Sequence, residues 1–99
     1  MNHTTSKFTL GQVVATPGAL EALAKAGQTP HELLERHVRC EWTGLDAEDV
    51  ELNMTALQDG GRIFGGFVLS DGTKLWCLTE AVGDDGQRAS TCLLLPDEY

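Results

Sequence analysis

The sequence predicts an α+β fold in which three N-terminal helices precede a three-stranded antiparallel β-meander. Two observations predict it. Three stretches between residues 16 and 60 each begin with a helix-capping side chain, and from residue 62 onward β-forming runs alternate with turn signals. We expect residues 1–6 to be disordered and residues 7–99 to form a single α+β domain, since 99 residues suffice for one modest core.

Each predicted helix has its own start and stop signals. The starts share a side chain able to accept a hydrogen bond from a free backbone N–H, and they are Thr16, Thr29 and Asp46. Proline follows both threonines at the first helical position, where its missing N–H is not needed. Glycine ends the first helix at Gly27 and the third at Gly60, whereas the second ends near residues 40–42. Ahead of the helices, residues 7–15 form a short strand or an extended arm.

The predicted meander has three strands separated by two loops. Asp71-Gly72, between β-forming runs, is the strongest short-range hairpin signal in the chain, and residues 83–87 form the second loop. The predicted cross-strand pairs are Val68 with Leu75, Gly66 with Cys77, Phe64 with Thr79, Thr79 with Thr91, and Cys77 with Leu93. Both faces of this sheet are largely apolar, and the helices cover only one. The N-terminal arm, a second copy of the chain or a target protein could cover the other.

The chain is strongly acidic, with fifteen Asp and Glu residues against seven Lys and Arg and a net charge of −8. Eight of the acids fall between Glu32 and Asp59. Such a field repels phosphate backbones, so direct nucleic-acid binding is not expected, and it attracts basic surfaces. Two interpretations stay open: the acidity maintains solubility, or it forms a surface for a basic partner.

The cysteines and the N-terminus indicate a reduced cytoplasm as the expected location. Cys40, Cys77 and Cys92 cannot all pair, and the predicted register directs Cys77 and Cys92 to opposite sides of the sheet. The chain has no CxxC motif and no Cys/His set with zinc-finger spacing, so we expect neither a metal nor another cofactor. The N-terminal residues lack the pattern of a signal peptide, and no apolar run has transmembrane length.

The residues that could carry chemistry do not form a known motif. His37 lies beside the apolar stripe of the second helix and is interpreted either as a core histidine or as a general base. Arg62, Arg88 and Thr91, together with Thr79, could converge at one end of the sheet around a phosphate. This is the layout of a small metal-independent ribonuclease of the barnase or RelE type, an analogy of fold alone. The net charge of −8 opposes RNA binding, so the nuclease is the alternative hypothesis and a non-enzymatic protein is preferred.

Several segments carry a resemblance that covers most of the chain. They are KFTLGQVVATPGALEALAKAG at residues 7–27, ELLERH at 32–37 with Trp42 and AED at 47–49, and DGTKLW, LTEA and LLLPDEY in the C-terminal part. In these segments the chain resembles small proteins of plasmids and other bacterial mobile elements, some of which are grouped with type I restriction systems. It departs from that pattern in having Cys40-Glu41-Trp42-Thr43 in place of Gly-Asp-Trp-Gly, and a longer stretch from Thr79 to Ser90. The resemblance implies a protein that acts within a mobile genetic element.

The leading hypothesis is a non-enzymatic, protein-binding inhibitor or modulator of host nucleic-acid machinery, of the anti-restriction or anti-CRISPR type. Its partner-binding residues would end the second helix and begin the third, and they are Glu41, Trp42, Asp46, Glu48, Asp49 and Glu51. The carboxylates would contact Lys and Arg residues that otherwise grip phosphate, and Trp42 either packs in the core or anchors the partner. Besides the nuclease, a third hypothesis is a homodimeric structural module joined through the uncovered apolar sheet face.

Overall fold

The computed structural model of the protein describes residues 6–99. In chain order the elements are β1 (Gln12–Ala15), α1 (Pro17–Lys25), α2 (Pro30–Val38), α3 (Ala47–Asp59), β2 (Ile63–Val68), β3 (Lys74–Thr79), β4 (Ser90–Leu94) and a 3₁₀ turn (Pro96–Glu98). The prediction of disorder over residues 1–6 lies outside the described residues, except for Ser6, which is exposed.

The four strands form one mixed sheet in the order β1-β4-β3-β2. β1 runs parallel to β4, with Val13 opposite Thr91, and the other two pairings are antiparallel. The predicted three-stranded antiparallel meander is therefore wrong, because a fourth strand precedes the helices and extends the sheet in parallel. β1 has only four residues, three of them exposed, so it lacks the alternation of buried and exposed positions that identifies a strand in sequence.

The hairpin between β2 and β3 is shifted by one residue from the predicted register. Val68 lies opposite Lys74, and Phe67 takes the predicted place of Val68 opposite Leu75. The cause is a three-residue loop: the Leu69 N–H donates to the Thr73 carbonyl at 2.8 Å, and Gly72 adopts a left-handed φ of +90°. A shift of one residue reverses the faces of a strand, so Phe67 points toward the helices and Phe64 away from them. The predicted pairs of Thr79 with Thr91 and of Cys77 with Leu93 are confirmed.

The three helices begin as their capping residues predict. The backbone N–H groups of Ala19, Glu32 and Asp49 donate to the side chains of Thr16, Thr29 and Asp46 at 3.0, 3.3 and 2.9 Å. The core lies between the helices and one face of the sheet; its buried apolar residues are Ala19, Leu23, Leu33, Trp42, Ile63, Phe67, Leu69, Leu75, Cys77 and Leu93. Cys77 and Cys92 lie on opposite faces of the sheet, as predicted, and all three cysteines are free thiols.

The face of the sheet turned away from the helices is covered only in part. Phe64 and Trp76 lie side by side on this face with ring centroids 4.8 Å apart, and Tyr99 from the end of the chain contacts both rings. Tyr99 is 66% exposed, whereas Phe64 and Trp76 are half-buried. Across residues 6–99, no helix has both the length and the apolar character needed to cross a membrane.

Candidate functional site

Five of the six predicted partner-binding residues are exposed, and together we call them the acidic surface: Glu41, Asp46, Glu48, Asp49 and Glu51. Asp46 caps α3, and its carboxylate accepts the Asp49 N–H at 2.9 Å. Glu48 and Asp49 occupy the first turn of α3, where the partial positive charge of the helix N-terminus stabilises carboxylates. Glu41 lies 4.0 Å from the Arg39 guanidinium. Most of the acidic surface is therefore carried by the start of α3 and its cap, and Glu41 lies in the segment that precedes them.

Next to the acidic surface lies a groove of about 590 Å³. It is bounded on one side by α3, through Asp49 and Leu52, and on the other by the sheet, through Phe64 and Trp76. The complete lining, which we call the aromatic groove, consists of Gly44, Leu45, Asp49, Leu52, Phe64, Lys74, Trp76 and Pro96. Asp49 belongs to both regions, so carboxylates and exposed apolar surface meet at a single place.

The side chain of Asn53 fixes α3 against the sheet. Its amide nitrogen donates to the Phe64 carbonyl at 2.8 Å, and its amide oxygen accepts the Phe64 N–H at 2.9 Å. Asn53 is 4% exposed, and both ends of its amide are satisfied by one residue of β2. This pair of bonds sets the distance between the first turn of α3 and Phe64, and hence the width of the aromatic groove. Asn53 is not among the site residues predicted from the sequence, although a polar amide next to the apolar positions Val50, Met54 and Leu57 is a recognisable signal of a buried hydrogen bond.

The sixth predicted residue, Trp42, lies in the core with 6% exposure. Its indole N–H donates to His37 Nδ1 at 2.9 Å. Cys40, with a left-handed φ of +61°, ends α2, and the Glu41 N–H donates back to the Arg36 carbonyl at 2.9 Å. This tight turn reverses the direction of the backbone, so the Trp42 side chain points back toward α2.

His37 is the centre of a buried polar chain that runs across the fold. Its Nδ1 accepts from Trp42, so the ring proton is on Nε2, which donates to Thr79 Oγ1 at 2.9 Å. Thr79 then donates to Thr91 Oγ1 at 2.7 Å, and Thr91 donates to the Leu10 carbonyl at 2.8 Å. Both nitrogens of the neutral imidazole and both hydroxyl protons are therefore used.

Burial determines the protonation state of His37. The side chain is 0% exposed, and burial lowers its pKa to about 3. A proton on Nδ1 would also remove the acceptor of the Trp42 N–H. His37 is thus a neutral, fully bonded side chain that has no contact with solvent, whereas a general base needs access to a substrate proton.

The other residues of the nuclease hypothesis do not surround a common space. Thr91 is buried within the polar chain, and Arg62 is exposed. Arg88 is 6% exposed, and its guanidinium donates to the carbonyls of Gly61 and Glu80 at 2.6 and 2.9 Å. Burial lowers the pKa of Arg88, and its contacts are with backbone oxygens instead of a carboxylate. This guanidinium holds the end of α3 to the sheet and leaves few donors for a phosphate.

Within the described part of the chain, no group of three or more His, Cys, Asp or Glu side chains has the geometry of a metal site. The acidic surface and the aromatic groove together form the candidate functional site. Comparisons with protein-family models, with curated proteins and with solved structures find no match to this chain.

Proposed function

We propose that the protein is a non-enzymatic binding module whose acidic surface and aromatic groove engage a basic, nucleic-acid-handling protein of a bacterial host. The observation that carries this proposal is the position of Asp49, which lies in the acidic surface and also lines the aromatic groove beside Trp76. Carboxylates next to exposed aromatic rings suit a partner surface rich in Arg and Lys, since guanidinium groups pair with carboxylates and stack on rings.

Two contributions to binding follow from this arrangement. The carboxylates, in a chain of net charge −8, attract a basic surface over distance and make association fast and sensitive to salt. The apolar part supplies area to bury: Leu52 and Tyr99 are 65% and 66% exposed, so covering them removes apolar surface from water. A partner covered in this way would lose the Lys and Arg residues with which it grips phosphate.

The resemblance to plasmid and mobile-element proteins suggests a biological setting for such a module. A small protein encoded on a mobile element would benefit from blocking a host defence enzyme that acts on nucleic acid. We therefore propose an inhibitor or modulator of the anti-restriction or anti-CRISPR type. The proposal needs no catalytic residue, cofactor or metal.

Charge reversal tests the acidic surface. The triple variant Glu48→Lys, Asp49→Lys and Glu51→Lys should lose capture of a nucleic-acid-binding protein from a host lysate, identified by mass spectrometry. The matched control reverses three exposed acids outside the acidic surface, with Glu21→Lys, Glu80→Lys and Asp84→Lys. With the purified partner, we expect at least a tenfold loss of affinity for the first triple variant and less than a threefold loss for the second. Equal affinities would contradict the proposal.

A second variant tests the apolar half of the same site. Tyr99→Ala removes an exposed ring that contacts Phe64 and Trp76, and we expect about a fivefold to tenfold weaker partner binding. Leu20→Ala is the control, because Leu20 is also exposed, at 47%, but lies on α1. Binding should weaken at high salt for the wild type and for both of these variants, since the carboxylates are intact.

A further inference from the structure

Among residues 6–99, β1 forms an open edge of the sheet. The Gln12 N–H donates to the Ala89 carbonyl and the Thr16 N–H to the Leu93 carbonyl, each at 3.0 Å. Alternate residues of a parallel strand bond to its neighbour, so Gln12, Val14 and Thr16 direct their backbone groups toward β4. The N–H and C=O groups of Val13 and Ala15 therefore point away from the sheet.

The open edge has few of the features that normally prevent strands from pairing. The sequence Gln12-Val13-Val14-Ala15 contains no charge and no proline, in a chain with 22 charged side chains. Val13 and Val14 are 42% and 44% exposed, although valine favours paired strands. An uncharged edge with exposed β-branched side chains is suited to pairing with another strand.

We propose that β1 pairs antiparallel with β1 of a second copy of the chain, in a two-fold symmetric dimer centred on Val14. In that register Val13 and Ala15 of one copy exchange backbone hydrogen bonds with Ala15 and Val13 of the other. Val14 then lies directly opposite Val14 of the second copy as a non-hydrogen-bonded pair, which brings two exposed side chains into contact. The arrangement is self-complementary, as a two-fold interface requires, and joins the sheets into eight continuous strands.

The groove beside β1 provides the additional area that a dimer needs. A pair of four-residue strands alone is well below the roughly 1,600 Å² of a standard interface. A groove of about 460 Å³ lies next to the strand, between the segment before β1 and α2, and its apolar lining includes Phe8, Leu10, Val13, Leu34 and Val38. Part of this lining is available to residues of the second copy that flank the paired strands.

The net charge sets the strength of the dimer and its response to salt. Two chains of charge −8 repel each other, so association is weak at low salt and becomes tighter as salt screens the repulsion. The proposed contact with a basic partner has the opposite dependence. The dimer is also independent of the proposed function, because the acidic surface lies on α3, which is bonded to β2 at the other edge of the sheet.

Sedimentation velocity over protein concentrations from about 5 µM to 1 mM tests the proposal. The wild type should pass from monomer to dimer, with the midpoint at lower concentration in 0.5 M NaCl than in 0.05 M NaCl. Val14→Lys should raise the midpoint at least tenfold, since it places two like charges opposite each other. Val68→Lys is the matched control: Val68 is equally exposed, at 44%, but lies on β2, and its variant should dimerise like the wild type.

Disulfide trapping locates the contact. In a Cys40→Ala and Cys92→Ala background, Val14→Cys should form an intermolecular disulfide on mild oxidation, because a non-hydrogen-bonded antiparallel pair has the short Cβ separation that the bond requires. Cys92 is replaced because it lies opposite Val14 within one chain. Val68→Cys in the same background should dimerise without forming an intermolecular disulfide. A wild type that is monomeric throughout, or equal trapping of both variants, would overturn the proposal.

Discussion

The two edges of the sheet differ in whether other parts of the protein bond to their outward backbone groups. At β2, Asn53 satisfies both backbone groups of Phe64, the Gly44 N–H donates to the Gly66 carbonyl at 2.9 Å, and Thr43 Oγ1 accepts the Val68 N–H at 3.2 Å. Contacts with α3 and with residues 43–44 therefore occupy most of that edge. At β1 the outward backbone groups of Val13 and Ala15 face away from the sheet, and the strand is mostly exposed.

The closed edge shows how a protein can prevent strand pairing and build a surface with the same residues. The segment that carries Thr43 and Gly44 occupies the space where a further strand would lie, and it continues directly into the acidic surface. A side chain at Gly44 would approach the Phe67 nitrogen to 2.9 Å, so only glycine allows this close contact. Closing β2 thus positions Asp49 beside the aromatic groove, whereas β1 is left available to a second copy.

The buried polar chain connects the two edges. It begins at the Leu10 carbonyl, just before β1, crosses β4 and β3 through Thr91 and Thr79, and ends at Trp42, just before the segment that closes β2. Each strand is crossed by a single hydroxyl group. We expect a substitution at the centre of the buried polar chain to destabilise both edges of the sheet. A substitution at one end of it should destabilise only the nearer edge.

The largest decrease in the free energy of unfolding is expected for Gly65→Ala. A Cβ atom at Gly65 would lie 2.5 Å from His37 Nδ1 and 2.7 Å from Trp42 Nε1, which is closer than atoms can approach. The strand must shift or the Trp42–His37 hydrogen bond must break, so the free energy of unfolding should fall by about 3 kcal/mol or more. Gly61→Ala is the control, because its Cβ would meet Ala56 at an ordinary 3.5 Å.

Urea unfolding followed by tryptophan fluorescence measures both glycine variants. If Gly65→Ala cannot be purified as a folded protein, its thermal unfolding in crude extract can still be compared with that of Gly61→Ala. Equal stability of the two variants would contradict the assigned role of the buried polar chain.

A smaller decrease in stability is expected for Asn53→Ala, which removes only the side-chain hydrogen bonds that cover Phe64 at the edge of β2. The N–H and C=O of Phe64 lose their partners, and we expect the free energy of unfolding to fall by about 2–3 kcal/mol. Gln58→Ala, at an exposed position of the same helix, should change it by less than about 0.5 kcal/mol. Hydrogen exchange should become faster at the Phe64 amide in Asn53→Ala while the Val14 amide, at the other edge, is unchanged. Faster exchange at both amides would show that the edges are not independent.

The elements that the sequence predicts well are determined by residues close to one another along the chain. Thr16, Thr29 and Asp46 each bond to a backbone N–H three residues ahead, and Gly60 ends α3 with a left-handed φ of +83°, so these boundaries are readable from short segments. β1 depends instead on a partner near the other end of the chain. Its four residues contain no turn signal or alternation that would reveal a parallel strand.

For the same reason, the sequence predicts only one of the two parts of the candidate site, the acidic surface. The exposed acids of α3 follow from their positions in the first turn, but the aromatic groove depends on the register of the β2–β3 hairpin. Because that register shifts by one residue, Phe64 faces Trp76 and Tyr99 and not the core. The sequence offers His37 as a core histidine or a general base and Thr91 as a phosphate contact. Their position in the buried polar chain depends on the Trp42 indole, which no spacing rule connects to α2.

The smallest predicted change in stability is caused by pH. It arises at His37, in the buried polar chain that connects both edges. Burial lowers the pKa of His37 to about 3, so between pH 6.5 and pH 3 the unfolded chain binds a proton at this position and the folded protein does not. The contribution of His37 to stability is therefore full above pH 6.5 and is lost as the pH falls, by about 2 kcal/mol between pH 7 and pH 5. Urea unfolding across this range measures the loss, and His31→Gln, at an exposed histidine, should show the same loss. NMR should show a neutral His37 ring at pH 5. A ring that titrates near pH 6.5 would mean that solvent reaches the buried polar chain, and it would contradict the prediction.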